Sequence, residues 1–353
     1  MKVHLFASEN LYTFAYLRFL EKNFDISSFV FVIRRKIGLS FDYPVAVKER
    51  IIFARSNLAF MKKVIPLLKR SEKFFFHQLP YGPSLFLWNL YPGLLSKATW
   101  IIWGGDVYIH REGKENIRKT VYEYLRRRII RRIPLIASFI PGDFEIVRKV
   151  YYSKAAYLQS AYPIPVDFMA RELKDETDTD KKVTRVLVGN SGNESNNHIE
   201  IFKFLDFLKK AEVKMICPLS YSGNNEYINL VAAEGRKIFA EKFEPLMTIL
   251  NTDDYLDLLA GIDIAVMNHE RQQGLGNILP LMYFGKKVYL RSETTTYRFF
   301  KDLGCVIFDI ESVKSQENSF LTINSSELNK NRKIVSDLLS EERYISLWTL
   351  ILA

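Results

Sequence analysis

Short apolar runs alternate with helix-length segments through most of this sequence, and that alternation limits the folds open to it. In the first half, apolar runs occur at residues 2–6, 28–33, 73–76, 98–103 and 135–138. Segments of helical length, such as residues 46–70 and 114–132, lie between them. Alternating strands and helices are typical of βα units around a parallel sheet. The sequence therefore predicts an α/β protein.

The alternation is interrupted between residues 161 and 182. Two prolines in Y-P-I-P-V precede the polar, acidic run E-L-K-D-E-T-D-T-D-K-K, a composition typical of a linker. Apolar runs resume at residues 183–188, and 353 residues are enough for two ordinary hydrophobic cores. We predict one βα domain at residues 1–165, a linker at 166–182, a second βα domain at 183–328 and a helical tail at 329–353.

Positive charge is concentrated in the first half of the chain. The formal net charge is +10 at pH 7, but residues 1–165 hold 27 Lys and Arg against 12 Asp and Glu. That half should meet something anionic: a phosphorylated substrate, an acidic membrane surface or nucleic acid. Two cysteines are too few for a disulfide framework, and five scattered histidines show no metal-ligand spacing. Since no apolar stretch reaches the roughly 18 residues of a spanning helix, we expect a cytoplasmic or peripheral protein.

Residues 262–290 form the stretch with the clearest chemical content. An apolar run, I-D-I-A-V-M, is followed by the polar loop N-H-E-R-Q-Q and then by Gly274 and Gly276 at the start of a helical pattern. Small residues at a helix N-terminus let an anion such as a diphosphate approach the free N–H groups. Arg271 adds a full charge, and Glu270, Gln272 and Gln273 add hydrogen-bonding groups at a strand end. An ordinary turn with a solvated loop is the alternative.

A second polar loop follows the strand V-T-R-V-L-V. Its residues offer many donors for phosphate oxygens, and they are Gly189, Asn190, Ser191, Gly192 and Asn193. The loop lacks both G-x-G-x-x-G and the P-loop motif, so neither NAD nor ATP is indicated. Farther on, Tyr221 follows another strand, where its ring is suited to stack on a nucleobase. A helix cap for the loop and an ordinary surface tyrosine are the alternatives.

In the first domain, His77 ends the strand F-F-F-H, and Asp106 follows A-T-W-I-I-W-G-G. An imidazole and a carboxylate at neighbouring strand ends are candidates for the catalytic base that deprotonates a hydroxyl. A buried histidine and a turn or helix-capping aspartate are the alternatives.

Residues 118–133 read R-K-T-V-Y-E-Y-L-R-R-R-I-I-R-R-I, in which apolar positions share a face and seven cations surround them. Basic helices of this density lie on anionic lipid, although a charged face can also be simply solvated. The predicted membrane-binding residues are Arg126, Arg127, Arg128, Arg131 and Arg132.

Several of these blocks together resemble a known family. W-G-G-D, V-G-N-S-G-N-E-S-N-N-H-I, P-L-S-Y and R-Q-Q-G-L-G are similar to segments of the TDP-N-acetylfucosamine:lipid II N-acetylfucosaminyltransferases, and the likeness runs from F-F-F-H to the strand after Gly285. The resemblance implies a GT-B glycosyltransferase, with two Rossmann-like domains facing each other across a cleft. It implies transfer of 4-acetamido-4,6-dideoxygalactose from TDP to an undecaprenyl-diphosphate disaccharide in synthesis of enterobacterial common antigen, a cell-surface polysaccharide. The enzyme would be peripheral on the cytoplasmic face of the inner membrane, independent of metal and cofactor, and without a nucleic-acid partner.

One departure from a wider pattern leaves the stereochemistry open. Many retaining GT-B enzymes carry two glutamates eight residues apart in this region, but the residue eight positions after Glu270 is Ile278. Two other functions also remain open: a sugar-nucleotide epimerase on the same fold, and a non-enzymatic protein that binds membrane or nucleic acid. The basic segment argues against the epimerase, and the polar clusters at strand ends favour a small-molecule site over the non-enzymatic protein.

Overall fold

A computed structural model describes residues 1–34, 41–54, 57–111, 116–171, 183–315 and 317–353. The chain divides into two compact units. Unit 1 comprises Met1–Pro165 and Leu339–Ala353, and unit 2 comprises Val166–Leu338. Within the described residues, none of the helices combines the length and the apolar character needed to cross a membrane.

Unit 1 is built on a parallel sheet, which has seven strands in the part of the chain that is described. The strands are β1 (Lys2–Phe6), β2 (Phe29–Arg34), β3 (Ile51–Ala54), β4 (Lys73–His77), β5 (Ala98–Ile101), β6 (Leu135–Ser138) and β7 (Ala156–Gln159). Their order across the sheet is β3-β2-β1-β4-β5-β6-β7. The strand order reverses direction between β1 and β4, which is the doubly wound arrangement of Rossmann-like domains.

Helices cover the sheet of unit 1, so its central strands are apolar on both faces. They are α1 (Leu11–Asn23), α2 (Val45–Lys48), α3 (Asn57–Arg70), α4 (Ser84–Leu90), α5 (Ile117–Ile130) and α6 (Pro141–Tyr151), with 3₁₀ turns at Pro92–Lys97 and Tyr108–Arg111. In β4, Phe74 and Phe76 contact Trp88 of α4, while Phe75 stacks on His4 toward the other face.

The predicted helix at residues 46–70 is wrong, because this segment contains α2, β3 and α3. The apolar run Ile51–Ala54 pairs with β2 as the edge strand of the sheet, and tertiary pairing overrides the helical spacing on either side of it. The predicted helix at residues 114–132 corresponds to α5, and its positions 114 and 115 lie outside the described residues.

Unit 2 has a second parallel sheet, with six strands among its described residues in the order β10-β9-β8-β11-β12-β13. The strands are β8 (Thr184–Val188), β9 (Val213–Pro218), β10 (Phe243–Leu246), β11 (Ile264–Met267), β12 (Lys287–Leu290) and β13 (Phe308–Asp309). Here the order reverses between β8 and β11. Ligands of open α/β sheets bind beyond the carboxyl ends of strands at such a reversal.

The helices of unit 2 follow the strands in alternation. They are α7 (His198–Phe204), α8 (Asn225–Phe239), α9 (Thr252–Ala260), α10 (Leu275–Tyr283), α11 (Thr295–Asp302), α12 (Glu311–Ser315), α13 (Glu317–Phe320), α14 (Ser325–Leu328) and α15 (Lys330–Leu338), with 3₁₀ turns at Glu194–Asn196, Asp206–Lys210 and Ala240–Lys242.

The predicted tail at residues 329–353 is divided between the units. The last helix, α16 (Glu341–Leu352), belongs to unit 1, because Trp348 is fully buried there and its indole N–H donates to the carbonyl oxygen of Ala161 at 2.7 Å. The predicted linker at 166–182 lies outside the described residues from 172 onward. Its first part packs on unit 2, where Phe168 contacts Tyr283.

Candidate active site

The loop after β8 is organised by the carboxamide of Asn196. Its Oδ1 accepts the backbone N–H of Asn190 at 2.9 Å, and its Nδ2 donates to Ser191 Oγ at 3.1 Å and to the carbonyl of Asn193 at 2.9 Å. Gly189 has φ +72°, and a Cβ there would lie 2.7 Å from His198 Nε2. The polar side chains predicted from the sequence are therefore held in one conformation by a residue that the prediction did not include.

The loop after β11 meets the loop after β8 through His269. This imidazole is buried, and its Nε2 lies 2.9 Å from Asn196 Oδ1. Burial, followed by the nearby positive charge of Arg271, lowers the pKa of His269 to about 3. The ring is consequently neutral near pH 7 and is a structural element of the site.

Gln273 links the same two loops at their outer edge. Its Nε2 donates to Asn190 Oδ1 at 3.1 Å, and its Oε1 accepts the hydroxyl of Ser195 at 2.6 Å. Since β8 and β11 are the adjacent strands at which the sheet order reverses, the two predicted polar loops form one surface at the position where α/β sheets bind ligands.

The N-terminus of α10 opens onto this surface. Its N-cap is Gly274, with φ +73° and no side-chain capping bond. A Cβ on Gly274 would lie 2.9 Å from His269 Cε1, so glycine is required both by the backbone conformation and by the close approach of the loop. Gly276, in the first turn, has no side chain that could cover the first amides of the helix. An uncapped helix N-terminus favours an anion such as a phosphate.

A small pocket lies beside this N-terminus. Met267, Ile278 and Leu290 form its apolar floor, and the polar residues that line it are His269, Arg271, Gln273, Arg291, Thr294 and Thr296. Arg271 and Gln273 were predicted from the sequence, whereas the residues after β12 were missed. The run R-S-E-T-T-T that follows this strand was the available signal.

Arg291 is fixed in that pocket by three neighbours. Its Nε donates to Asn268 Oδ1 at 2.8 Å, it pairs with Glu200, and a longer contact of 3.5 Å joins it to Glu293. The positive charge of Arg291 is therefore compensated within unit 2.

Tyr221 extends the surface toward the outer strands of the sheet. Its carbonyl accepts the N–H of Gly192 at 3.0 Å, which places the loop after β9 against the loop after β8. The ring of Tyr221 is 68% exposed and is thus accessible to a planar ligand. Glu270 is also exposed, while Gln272 is buried and its carbonyl accepts an N–H of Arg271 at 3.3 Å.

The structure contradicts a base role for Asp106. The carboxylate is 1% exposed and accepts hydrogen bonds from the N–H of Leu79 at 3.1 Å, the indole of Trp100 at 2.8 Å and the N–H of Trp103 at 3.1 Å. Burial raises the pKa of Asp106, but its oxygens are occupied in joining the loops after β4 and β5. Asp106 is a structural residue.

His77 is likewise enclosed within unit 1. Its Nε2 lies 2.9 Å from His4 Nδ1, its Nδ1 contacts the hydroxyl of Tyr162, and the ring stacks on Phe6. Burial, followed by the proximity of His4, holds the pKa of His77 well below its usual value. A buried ring with this pKa does not suit a general base, which needs contact with the acceptor and a pKa near the working pH.

Arg126 was wrongly predicted as a membrane-binding residue. It is fully buried, its guanidinium donates to the carbonyl of Asp106 and to the hydroxyl of Tyr151, and it lies 5.5 Å from the ring centroid of Trp100. Arg127 is half-buried and pairs with Glu123 at 3.1 Å. The exposed arginines of the segment are Arg128, Arg131 and Arg132. The helical pattern correctly placed the segment on a helix, but it did not distinguish the arginine that points inward.

Solved structures with a similar fold include several glycosyltransferases. A glycosyltransferase from Rickettsia africae ESF-5 is 13% identical, with a TM-score of 0.67 over 99% of this chain and 97% of that chain. WaaG, a glycosyltransferase involved in lipopolysaccharide biosynthesis, is 11% identical, with a TM-score of 0.63 over 99% and 98%. Alr3699/HepE from Anabaena, solved with UDP and glucose, is 9% identical, with a TM-score of 0.66 over 100% and 99%.

The two Rossmann-like units, together with these similarities, define a GT-B fold. The match to a family model is more specific than the fold. Residues 15–325 match the model of the 4-alpha-L-fucosyltransferases, glycosyl transferase group 56. The chain belongs to this family.

Proposed function

We propose that this glycosyltransferase moves a deoxy-amino sugar, 4-acetamido-4,6-dideoxygalactose or a close relative, from a TDP-type donor to a saccharide carried on a polyprenyl diphosphate. The observation that carries the proposal is the junction of two polar loops in front of an uncapped helix. Gln273 joins the loops after β8 and β11, and the first turn of α10 opens beside it. In this proposal the diphosphate of the donor occupies the helix N-terminus.

Arg271 supplies the positive charge for that diphosphate. It lines the pocket beside α10, and its charge contributes to the lowered pKa of His269. The amides near Gly274 and Gly276 bind the phosphate oxygens from one side, and the loop of Asn190, Ser191 and Asn193 lies on the other. The nucleobase stacks on the exposed ring of Tyr221.

Calorimetric titration with TDP tests the donor site. Arg271→Ala should weaken TDP binding by about tenfold, since a charge-assisted hydrogen bond is worth about 1.5–3 kcal/mol. Arg298→Ala is a matched control, because this exposed arginine of α11 donates to the carbonyl of Glu293 and does not line the pocket. Equal TDP affinity in the Arg271 variant, the Arg298 variant and the wild type would contradict the assignment.

The acceptor is proposed to reach unit 1 from an anionic membrane surface, which places the enzyme peripherally on the cytoplasmic face of the inner membrane. Helices α4 and α5 are joined by a bond from Asn89 Nδ2 to the carbonyl of Leu125 at 3.1 Å, and their outer faces expose large apolar side chains. These are Phe86, Leu90, Ile117, Val121 and Tyr124. Arg128, Arg131 and Arg132 lie at the C-terminal end of α5. Apolar side chains next to cations are suited to an interface of anionic lipid.

A transfer assay tests the whole proposal. Purified protein is incubated with radiolabelled TDP-4-acetamido-4,6-dideoxygalactose and a polyprenyl-diphosphate disaccharide in vesicles, and labelled lipid is measured. Parallel reactions replace the donor by UDP-galactose or the acceptor by the free disaccharide. Label in lipid only with the TDP donor and the lipid acceptor supports the proposal. Transfer from UDP-galactose alone would refute the donor assignment, and equal transfer to the free disaccharide would refute the lipid acceptor.

A further inference from the structure

The small pocket between the ends of β11 and β12 lies at the N-termini of two helices. Gln273 immediately precedes the N-cap of α10, Thr294 is the N-cap of α11, and both residues line the pocket. Arg271 and Arg291 line it as well, and the charge of Arg291 is paired with Glu200. The charge of Arg271 and the two helix N-termini give the pocket a positive potential. A cation is therefore not a suitable occupant.

A buried hydroxyl in this pocket has no partner among the described residues. Thr296 is 3% exposed, and its hydroxyl makes no hydrogen bond to any residue that the structure describes. An unbonded buried hydroxyl is unfavourable, and folded proteins satisfy many such groups with an ordered water. The neighbouring Thr294 is already engaged, because its hydroxyl donates to the carbonyl of Arg291 at 2.7 Å.

The size of the pocket limits its occupant to about one water molecule. Its floor is formed by Met267, Ile278 and Leu290, and all three side chains are buried. A phosphate or carboxylate group is too large to enter. A water molecule fits, and the polar rim offers the two or more hydrogen-bonding partners that a buried water requires.

We propose that a buried water molecule in this pocket joins Thr296 to Arg271, and that Thr296 thereby positions this arginine for the donor diphosphate. The water exchanges a hydrogen bond with the hydroxyl of Thr296 and accepts an N–H of Arg271. The inference rests on the proposed function, in which Arg271 binds the diphosphate. Thr296 does not touch the donor in this arrangement and is a positioning residue.

The other arginine of the rim does not need this water. Arg291 donates from Nε to Asn268 at 2.8 Å and pairs with Glu200, so side chains of unit 2 already fix its position. Arg271 lies on the loop between β11 and α10, where one of its N–H groups donates to the carbonyl of Gln272 at 3.3 Å. A guanidinium has five N–H groups, so Arg271 can also donate to the water. Holding a long side chain in its binding conformation reduces the entropy that is lost when the ligand binds.

Crystallography tests the water directly. In the wild type, a water should lie within hydrogen-bond distance of Thr296 and of Arg271, and Thr296→Val should lose it. Chloride is the competing occupant, because the positive potential also attracts a monatomic anion. An anomalous peak in the pocket of crystals soaked in bromide would overturn the proposal, and so would a wild-type pocket in which neither atom is found.

Calorimetric titration with TDP tests the positioning role. Valine keeps the shape of threonine and removes the hydroxyl, whereas serine keeps the hydroxyl. We expect Thr296→Val to weaken TDP binding about fivefold, which is the loss of about one hydrogen bond, and Thr296→Ser to restore most of the affinity. In the Arg271→Ala background, Thr296→Val should have no further effect, because the group that it positions is absent.

The outcomes separate the positioning role from the proposed function. Wild-type affinity in Thr296→Val, or a fivefold loss that persists in the Arg271→Ala background, would refute the role while the donor site stands. A serine variant as weak as the valine variant would also refute it, since the loss would then come from packing. If TDP does not bind the wild type, the proposed donor and the positioning role are both refuted, and the crystal structure still decides whether the water is present.

Discussion

Replacing Gly274 by alanine should disable the donor site by moving the loop that forms it. Gly274 adopts φ +73°, and a Cβ there would lie 2.9 Å from His269 Cε1 and 3.5 Å from Asn190 Cγ. The first distance is shorter than real Cβ contacts, and His269 is buried with its Nε2 bonded to Asn196. The ring must therefore move, and its hydrogen bond to Asn196, which is one of the bonds that join the two polar loops, is stretched or lost.

The expected magnitude has two parts. A non-glycine residue in the left-handed region costs about 1–2 kcal/mol, and loss of a buried hydrogen bond costs about 1 kcal/mol more. Gly274→Ala should thus lower the free energy of unfolding by about 2–3 kcal/mol. An anion at a favourable, partly buried helix N-terminus gains up to about 2 kcal/mol. Misplacing the first turn of α10 should therefore weaken TDP binding by up to about 30-fold.

Gly304→Ala is the matched control for this experiment. Gly304 also lies in unit 2 with a positive φ, +81°, but a Cβ there would meet nothing within 4 Å. Gly304→Ala therefore introduces the backbone strain of a positive φ without a steric contact of the new Cβ. Urea unfolding and calorimetric titration with TDP would be measured on both variants. If Gly274→Ala bound TDP as tightly as Gly304→Ala, the reasoning that ties this glycine to the donor site would be refuted.

Three further variants test other parts of the structure. Arg126→Gln should lower the free energy of unfolding by about 3 kcal/mol or more in urea titration, because it removes a buried guanidinium from its partners; a change below about 1 kcal/mol would contradict the buried role. Joint replacement of Arg128, Arg131 and Arg132 by glutamine should leave that free energy nearly unchanged and abolish salt-sensitive pelleting with anionic vesicles; undiminished pelleting would remove these residues from the proposed membrane surface. Because the pKa of His269 is about 3 when folded and about 6.5 when unfolded, the stability it contributes is full above about pH 6.5 and is lost as pH falls toward 3. His269→Gln should reduce the slope of stability against pH in that window by up to about 1.4 kcal/mol per unit, and an unchanged slope would mean that His269 titrates normally.

The sequence predicted those elements of the fold whose local and tertiary signals agree. The runs of β1, β4 and β11 are mostly apolar and lie between turn residues, so their composition indicates buried parallel strands. The edge strand β3 was missed because Ile51–Ala54 is short and lies between two helical patterns. Its strand conformation depends on pairing with β2, which is a long-range contact.

The helix α16 illustrates the same limit at the level of domains. Its apolar spacing correctly indicated a helix, but spacing carries no information about which core receives the apolar face. Trp348 determines which core α16 joins, because its indole needs both a buried space and a hydrogen-bond acceptor. The carbonyl of Ala161 is that acceptor in unit 1.

The polar residues predicted at strand ends have different surroundings in the two units, and the difference is physical. In unit 1, the oxygens of Asp106 are bonded by the N–H groups of its own unit, so the residue holds loops together. In unit 2, Asn196 takes that structural role, while the first turn of α10 has no side-chain cap and the hydroxyl of Thr296 has no hydrogen-bond partner among the described residues. Sequence shows which residues are polar but not which of them the chain itself satisfies. A group that the chain leaves unsatisfied is available to a ligand, and only the folded structure shows which groups these are.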